Sequence, residues 1–329
     1  MELVVAAPRD PQGWRRVLAP ALAEALPAAR LHLWPDLDCD PAAVEVALVW
    51  DPPAEMWAAL PGLRCVMALG AGVDELLPKL PAGLALTRVV DGGLATRMVD
   101  YVLCQVLRAQ LDMAGYARAQ ARAAWQPRVT PPASEYRVGV LGLGAIGAPV
   151  AAALARYGYP VWGWSRGPRQ LSGVHCGCGP DGLDALLGRS DAVVCLLPLT
   201  AATRGLLDAR ALALLPPGAH LINAGRGGLV VEADLLAALD RGDRDDRDDR
   251  SDRDDPNAAG GLGGATLDVF CHEPLPAAHP LWRHPRVTVT PHIASLTDPA
   301  AVAAQICANL VRLSAGAPLR HLVDRARGY

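Results

Sequence analysis

The stretch VGVLGLGAIGAPVAAALARYG, residues 138–158, decides the fold. A short apolar run leads into Gly142, Gly144 and Gly147, and an alanine-rich segment of helical character follows. In a G-x-G-x-x-G frame, Gly142 permits a tight turn, Gly144 lets the backbone approach a pyrophosphate, and Gly147 lets helix and strand pack closely. The spacing predicts a strand, a turn and a helix whose N-terminus binds a dinucleotide.

The rest of the chain repeats this alternation of strands and helices. Apolar runs bounded by Pro, Gly or Asp predict buried parallel strands. The predicted strands are ELVVAAP, VEVALVW and CVMALGAG in the first part of the chain, and RVGVLGLG, PVWGWSR, AVVCLLPL, AHLINAG, ATLDVF and VTVTPH in the second. A helical stretch from about Ala95 to Ala124 lies between the two sets. The pattern predicts an α/β protein with two doubly wound, parallel-sheet (Rossmann-like) domains.

Length, charge and cysteine usage narrow the class of protein. A chain of 329 residues is long enough for two domains. Its formal net charge of −3 gives no reason to expect a nucleic acid as partner. Without a long apolar run or a secretory start, we expect no membrane partner and a cytoplasmic location. The HCGC stretch at 175–178 has no second ligand pair at a zinc-like spacing, so we expect free thiols and no metal.

One segment, DRDDRDDRSDRDDPNAAGG at 243–261, differs from the rest of the chain. It is net acidic and has no large apolar residue, so it cannot bury enough surface to offset the entropy of ordering. We predict a disordered surface insertion. An interaction tail is the alternative.

The strand after the glycine turn bears on the choice of cofactor. NAD-binding sites usually carry Asp or Glu about 20 residues beyond the turn. This chain instead reads WGWSRGPR, with Ser165, Arg166 and, slightly later, Arg169. A hydroxyl and guanidinium groups would bind a 2′-phosphate that a carboxylate would repel. The sequence favours NADPH over NADH, and a solvated basic turn is the alternative.

Three later stretches each place a chemically active residue after a predicted strand. INAGRGG supplies Arg226, DVFCHEPLP supplies Asp268 and Glu273, and TVTPHIAS supplies His292. Taken singly, each of these residues could be structural. An Arg, a Glu and a His in this order, at the strand ends of one cofactor domain, indicate a site for hydride transfer.

These motifs have a known counterpart. ALGAGVDELL near residue 70, the glycine turn, WSR, NAGRG, LDVF-x-x-EPLP, PLW-x-HPRVTVTPH and the terminal VDRARGY occur together. With them the chain resembles the D-isomer-specific 2-hydroxyacid dehydrogenase family nearly end to end, and within it the bacterial glyoxylate/hydroxypyruvate reductase A group. The resemblance implies NADPH-dependent reduction of glyoxylate to glycolate and of hydroxypyruvate to D-glycerate.

The resemblance also implies roles for individual residues. Arg226 would bind the substrate carboxylate and polarise its carbonyl, His292 would donate the proton, and Glu273 would pair with His292. Asp268 would face the nicotinamide carboxamide, and Thr203 would lie along the cofactor. The predicted cofactor contacts are Gly142, Gly144, Ala145, Ile146, Gly147, Ser165, Arg166, Pro198, Thr203, Ala224 and Asp268.

On the substrate side, the resemblance implies a backbone clamp. The N–H groups around Ala71, Gly72 and Val73 would bind the substrate carboxylate. Trp50 would be a wall of the pocket, with ordinary packing as an equal alternative.

The family organisation implies an inserted cofactor domain. Residues 1–97 and 292–329 would form the substrate domain, and 98–291 the NAD(P)-binding domain. A homodimer built through the cofactor domain and the arm near Trp125 is expected. The chain departs from the group in the enlarged link at 243–261 and in Asp100, where the family commonly has Glu.

Two other functions stay open at this point. One is reduction of a larger or more polar 2-oxo acid. The other is a nicotinamide-sensing, corepressor-like binding protein, against which the set of Arg226, Glu273 and His292 argues.

Overall fold

The protein is described by a computed structural model that covers residues 1–90, 93–242 and 261–329. These residues divide into two compact units, Met1–Leu94 with Thr297–Tyr329, and Ala95–Leu296. The chain therefore begins in the first unit, forms the whole of the second, and returns to the first.

The strands of the described residues pair in parallel within two sheets. They are β1 (Glu2–Ala6), β2 (Arg30–Leu33), β3 (Val44–Val49), β4 (Cys65–Ala68), β5 (Ala85–Thr87), β6 (Val138–Leu141), β7 (Val161–Ser165), β8 (Val174–Cys178), β9 (Ala192–Cys195), β10 (His220–Asn223), β11 (Gly264–Leu267) and β12 (Val287–Val289). The prediction of two doubly wound, parallel-sheet domains, with one inserted into the other, is confirmed.

Helices connect these strands. They are α1 (Pro11–Ala25), α2 (Met56–Ala59), α3 (Leu94–Gln110), α4 (Met113–Ala121), α5 (Gly147–Tyr157), α6 (Gly179–Leu187), α7 (Ala209–Ala213), α8 (Glu232–Gly242) and α9 (Pro299–Ser314). Short 3-10 turns occur at Pro41–Ala43, Leu77–Lys79, Ala133–Glu135, Gly227–Leu229 and Pro280–Trp282. Within the described parts of the chain, none of the helices combines the length and the apolar character needed to cross a membrane.

The first unit is built on a five-stranded sheet in the order β2-β1-β3-β4-β5. Every residue of β4 is buried, and β1 and β3 are buried apart from one partly exposed residue each. Strands covered on both faces need near-continuous apolar sequence, and ELVVA, VEVALV and CVMA have it. Helix α9, from the end of the chain, packs against α1 and completes this unit.

The second unit is built on a seven-stranded sheet in the order β12-β11-β10-β9-β6-β7-β8. The order reverses between β6 and β9, which pair from Val138↔Ala192 to Leu141↔Cys195. In open parallel sheets, ligands bind outside the carboxyl ends of the strands at such a reversal. The turns that follow β6, β7, β9, β10, β11 and β12 all lie at this edge.

The predicted helical stretch from Ala95 to Ala124 consists of two helices. Helix α3 ends at Gln110, and α4 begins at Met113. Asp112 between them has a left-handed backbone with φ of 49°, and its carboxylate accepts a hydrogen bond from the Gly115 N–H at 3.1 Å. This N-cap starts a second helix, which helical periodicity alone does not show.

The predicted disordered insertion, 243–261, lies outside the described residues except for Gly261. Gly242, which precedes the insertion, and Gly261, its last residue, lie in close contact. A Cβ built on Gly261 would overlap the Gly242 nitrogen. The Gly261 carbonyl accepts a hydrogen bond from the Gly218 N–H at 3.0 Å, and the next residue, Leu262, donates to the Ala238 carbonyl at 3.0 Å. The chain therefore leaves α8 and resumes before β11 at nearly the same point.

Candidate active site

The glycine turn has the geometry that its sequence predicts. Gly142 has φ of 102°, a left-handed conformation that favours glycine, and its N–H donates to the Trp164 carbonyl at 2.8 Å. A Cβ on Gly147 would overlap the Gly142 carbonyl oxygen, whereas a Cβ on Gly144 would meet no atom within 4 Å. Gly147 is thus required by the packing of helix against turn, and Gly144 leaves an open surface.

Helix α5 begins beside that open surface. Its N-cap residue, Ile146, makes no side-chain capping hydrogen bond, and Gly144 and Ala145 are exposed. The first N–H groups of a helix carry a partial positive charge and lack intrahelical partners. The turn and the helix N-terminus therefore fit a pyrophosphate.

The end of β7 lies next to this turn. The Ser165 hydroxyl donates to the Gly167 carbonyl at 2.8 Å, and Arg166 and Arg169 are exposed. The hydrogen bond from Gly142 to Trp164 joins the two strand ends directly. The basic groups predicted to bind a 2′-phosphate accordingly follow the strand that neighbours the glycine turn.

The loop after β9 holds two further predicted cofactor contacts. The Thr203 hydroxyl donates to the Pro198 carbonyl at 2.6 Å and accepts from the Thr200 N–H at 2.9 Å. In the next loop, the buried Ala224 donates its N–H to the Cys195 carbonyl at 3.2 Å. Both residues shape the sheet edge beside the glycine turn.

A buried asparagine shapes the turn that carries Arg226. Asn223 ends β10, and its side chain donates to the Arg226 carbonyl at 2.9 Å and accepts from the Gly225 N–H at 3.2 Å. A Cβ on Gly227 would overlap the backbone of Phe270, so this turn lies directly against the chain that follows β11. The Arg226 guanidinium itself donates to the Gly225 carbonyl at 2.7 Å. The predicted site did not include Asn223, although an amide at a strand end, two residues before a glycine, is a recognisable signal.

His292 and Glu273, the predicted proton donor and its predicted partner, lie in hydrogen-bond contact. The distance between His292 Nδ1 and Glu273 Oε2 is 2.7 Å. The other carboxylate oxygen of Glu273 accepts from the Phe270 N–H at 3.0 Å, which fixes the carboxylate. Because Nδ1 is engaged, Nε2 is the ring nitrogen available to a substrate. About half of the His292 side chain is exposed.

Asp268 has a more internal position than its predicted contact with the nicotinamide suggests. It is 1% exposed, and its carboxylate accepts hydrogen bonds from the Thr290 hydroxyl at 2.6 Å and from the N–H groups of Ile293 at 2.9 Å and Ala294 at 2.8 Å. These donors all belong to the turn after β12 that carries His292. The contact with the carboxamide stays a prediction.

The predicted substrate contacts lie in the first unit. Trp50 follows β3, is 41% exposed, and stacks on Trp14 with ring centroids 6.5 Å apart. In the segment after β4, Ala71 is half-buried, Gly72 is exposed and Val73 is buried. Their contacts with substrate stay predictions.

Comparison with known proteins adds independent evidence. Residues 103–245 and 257–294 match the family described as D-isomer specific 2-hydroxyacid dehydrogenase, NAD binding domain. A glyoxylate/hydroxypyruvate reductase A from Serratia proteamaculans is 42% identical over 315 residues, which are 94% of this chain and 94% of that protein.

Solved structures agree with this assignment. The D-isomer specific 2-hydroxyacid dehydrogenase from Xanthobacter autotrophicus Py2, in complex with NADPH and MES, has a TM-score of 0.88 at 41% identity, covering 100% of this chain and 99% of that one. The NADPH-dependent glyoxylate/hydroxypyruvate reductase from Sinorhizobium meliloti, in complex with NADP and sulfate, has a TM-score of 0.85 at 35% identity, with the same coverage. Sequence motifs, sheet order and these relatives agree that the chain belongs to the D-isomer specific 2-hydroxyacid dehydrogenase family of enzymes.

Proposed function

We propose that this chain reduces small 2-oxo acids with NADPH, converting glyoxylate to glycolate and hydroxypyruvate to D-glycerate. The observation that carries the proposal is the 2.7 Å contact between His292 and Glu273, at the sheet edge that also holds the glycine turn and Arg226. The names of the relatives from Serratia and Sinorhizobium support these two substrates.

The choice of NADPH rests on the end of β7. The glycine turn and the first N–H groups of α5 would hold the pyrophosphate, while Ser165 and Arg166 would hold the 2′-phosphate. No carboxylate occurs in the WGWSRGPR stretch to bind the ribose hydroxyls of NADH. The relatives from Xanthobacter and Sinorhizobium carry NADPH and NADP in their structures, which supports the same choice. When bound, NADPH supplies the hydride.

The chain's own residues would bind the substrate and supply the proton. The Arg226 guanidinium binds the carboxylate and polarises the neighbouring carbonyl, because its planar donors match a carboxylate. The carbonyl oxygen gains negative charge as reduction proceeds, and His292 Nε2 donates a proton to it. The Glu273 carboxylate stabilises the imidazolium and orients the ring. Ala71, Gly72 and Val73 are proposed to bind the substrate carboxylate through their N–H groups.

A homodimer in the cytoplasm is the setting we propose for this activity. On the arm that follows α4, Trp125 is 97% exposed and Val129 is 94% exposed. Large apolar side chains exposed together often mark an interaction surface, which supports a partner at this arm.

A spectrophotometric assay tests the proposed reaction. Oxidation of NADPH and of NADH is followed with glyoxylate, hydroxypyruvate, pyruvate and a bulky 2-oxo acid. We expect turnover of the first two with a preference for NADPH. Binding of NADPH without turnover of any acid would refute the reductase and favour the nicotinamide-sensing alternative.

The proton donor is tested by His292→Ala, with His279→Ala as the matched control. His279 is also paired with a glutamate, Glu232, at 3.4 Å in the same unit, but it has no proposed role in the reaction. We expect a fall in kcat of roughly 10²–10⁴ for His292→Ala, the usual contribution of a general acid. The control should keep nearly full activity. Equal rates in both variants would mean that another group supplies the proton.

A further inference from the structure

Two hydroxyl groups lie behind the His292 turn and have no part in the proposed reaction. Thr290 immediately follows β12, two residues before His292. Its Oγ1 lies 2.6 Å from Asp268 Oδ1 and 2.7 Å from the Tyr101 hydroxyl. Tyr101 belongs to α3 and lies 189 residues before Thr290 in the sequence.

The direction of these hydrogen bonds follows from the number of protons. A carboxylate that accepts hydrogen bonds has no proton to give, so Thr290 must donate its single hydroxyl proton to Asp268. Thr290 can then only accept from Tyr101, and Tyr101 is the donor. Burial raises the pKa of Tyr101 to about 12, so the phenol keeps this proton throughout the neutral range. The result is a directed chain from Tyr101 through Thr290 to Asp268.

Asp268 in turn holds three successive residues of the catalytic turn. Its backbone carbonyl accepts from the His292 N–H at 2.9 Å, and its carboxylate accepts from the N–H groups of Ile293 and Ala294. His292 has φ of 55°, a left-handed conformation that a non-glycine residue adopts at a cost. The turn therefore depends on these contacts to keep its shape.

We propose that Tyr101 and Thr290 are positioning residues, which fix the Asp268 carboxylate and through it the His292 turn, so that the imidazole stays aligned with Glu273. This inference rests on the proposed function, because the ring that is aligned is the proposed proton donor. Both hydroxyls act through Asp268 and do not touch the substrate.

The test compares Tyr101→Phe and Thr290→Val with Tyr159→Phe and Thr290→Ser. Tyr159 is the matched control, because its pKa is also raised to about 12 and its hydroxyl also bonds to another side chain, donating to Gln110 at 2.6 Å, away from the His292 turn. Thr290→Ser keeps the hydroxyl and should rescue whatever Thr290→Val loses.

Two readouts are expected to change together. In Thr290→Val, which loses a hydrogen bond to the charged Asp268 carboxylate, kcat should fall about tenfold with the KM for NADPH unchanged. In Tyr101→Phe, which loses a hydrogen bond between two neutral hydroxyls, kcat should fall about 2- to 10-fold, again with the KM for NADPH unchanged. Hydrogen exchange of the 292–294 amides should become faster, while Tyr159→Phe and Thr290→Ser should resemble the wild type.

The outcomes separate this inference from the proposed function. Unchanged exchange and kinetics in both Tyr101→Phe and Thr290→Val would overturn the inference, and so would equal losses in Tyr159→Phe. A wild-type chain without turnover would defeat the proposed function, and the exchange of the 292–294 amides would still decide whether the two hydroxyls hold the turn.

Discussion

At the scale of single residues, the carboxylate of Glu273 has two partners, and the lack of a carboxylate at position 165 bears on the choice of cofactor. Glu273 uses one oxygen to accept from the Phe270 N–H and the other to contact His292. The backbone donor holds the carboxylate in one orientation, so its second oxygen stays directed at the imidazole ring. At the end of β7 a carboxylate is missing, because Ser165 occupies the position where NAD-binding sites usually carry an acidic residue.

Replacing this serine tests the choice of cofactor. In Ser165→Asp, we expect the ratio of kcat/KM for NADPH to that for NADH to fall about 10- to 100-fold, because the new carboxylate repels the 2′-phosphate and accepts from the ribose hydroxyls. Ser165→Ala is the control and should change the ratio far less. The measurement is initial rates with glyoxylate and each cofactor. An unchanged ratio in Ser165→Asp would show that β7 does not select the cofactor.

At the scale of elements, the turn between β6 and α5 separates two kinds of glycine. Gly147 is enclosed, since a Cβ there would overlap the Gly142 carbonyl oxygen. Gly144 is open, since a Cβ there would meet no protein atom within 4 Å. The fold requires Gly147, whereas Gly144 leaves room for a ligand to approach the backbone of the turn.

Alanine substitutions should separate these two roles. We expect Gly147→Ala to lower the free energy of unfolding by about 1–3 kcal/mol, the usual cost of overpacking, and to weaken NADPH binding. Gly144→Ala should leave the free energy of unfolding nearly unchanged and raise the Kd for NADPH about tenfold or more, through lost backbone contact with the pyrophosphate. Urea unfolding and NADPH fluorescence give the two quantities. Normal NADPH affinity in Gly144→Ala would remove the pyrophosphate from this turn.

The pairing of β10 with β11 predicts a pH dependence of stability. His220 opposes Gly264, where a Cβ would press on the imidazole ring, and its Nε2 lies 3.0 Å from the Thr266 hydroxyl. Burial, helped by the charge of Arg108, lowers the pKa of His220 to about 4. Between pH 6.5 and pH 4 the unfolded chain therefore binds a proton that the folded chain does not bind. Stability falls as the pH decreases through this window.

His220→Gln measures that contribution. From pH 7.5 to pH 5, the free energy of unfolding of the wild type should fall by about 1–2 kcal/mol more than that of the variant. Urea unfolding at the two pH values gives the change in the free energy of unfolding for each protein. Subtracting the change in the variant from that in the wild type removes the contribution of the other titrating groups. Parallel losses in the two proteins would show that His220 is protonated in the folded state.

At the scale of the whole molecule, each unit has its own sheet and core. The chain crosses from the first unit to the second near residue 94 and returns near residue 297. Within the second unit, the acidic stretch 243–260 is bounded by Gly242 and Gly261, which lie against each other. Because these two glycines are in contact, a very short linker is enough to join Gly242 to Gly261.

Deleting this stretch tests that arrangement. We expect replacement of residues 243–260 by a Gly-Ser pair to leave kcat/KM with glyoxylate and the unfolding midpoint nearly unchanged, because Gly242 and Gly261 keep their contacts. The control replaces the same residues with a Gly-Ser segment of equal length. Loss of activity or of stability in both proteins would assign the acidic stretch a role in the fold or in assembly.

The sequence by itself determined the local features. The apolar runs of β1, β3, β4 and β6, the glycine turn, and the strand-end positions of Arg226 and His292 follow from short patterns, because period and spacing act within one element and its neighbours. Strands β2, β5 and β8 escaped prediction. They lie at the sheet edges, and the partly exposed VHCGC of β8 lacks the apolar run of a buried strand.

The tertiary structure alone decided how the turn that carries His292 is held. The hydroxyl of Tyr101 reaches Thr290 across 189 residues, and the carboxylate of Asp268 is turned to the backbone of residues 293 and 294. The role of Asn223 is likewise visible only in the structure, where its side-chain amide donates to the Arg226 carbonyl. A hydrogen bond needs a donor and an acceptor within about 3 Å in the right direction. No spacing along the chain encodes that proximity, because the sheet brings distant segments to a common edge.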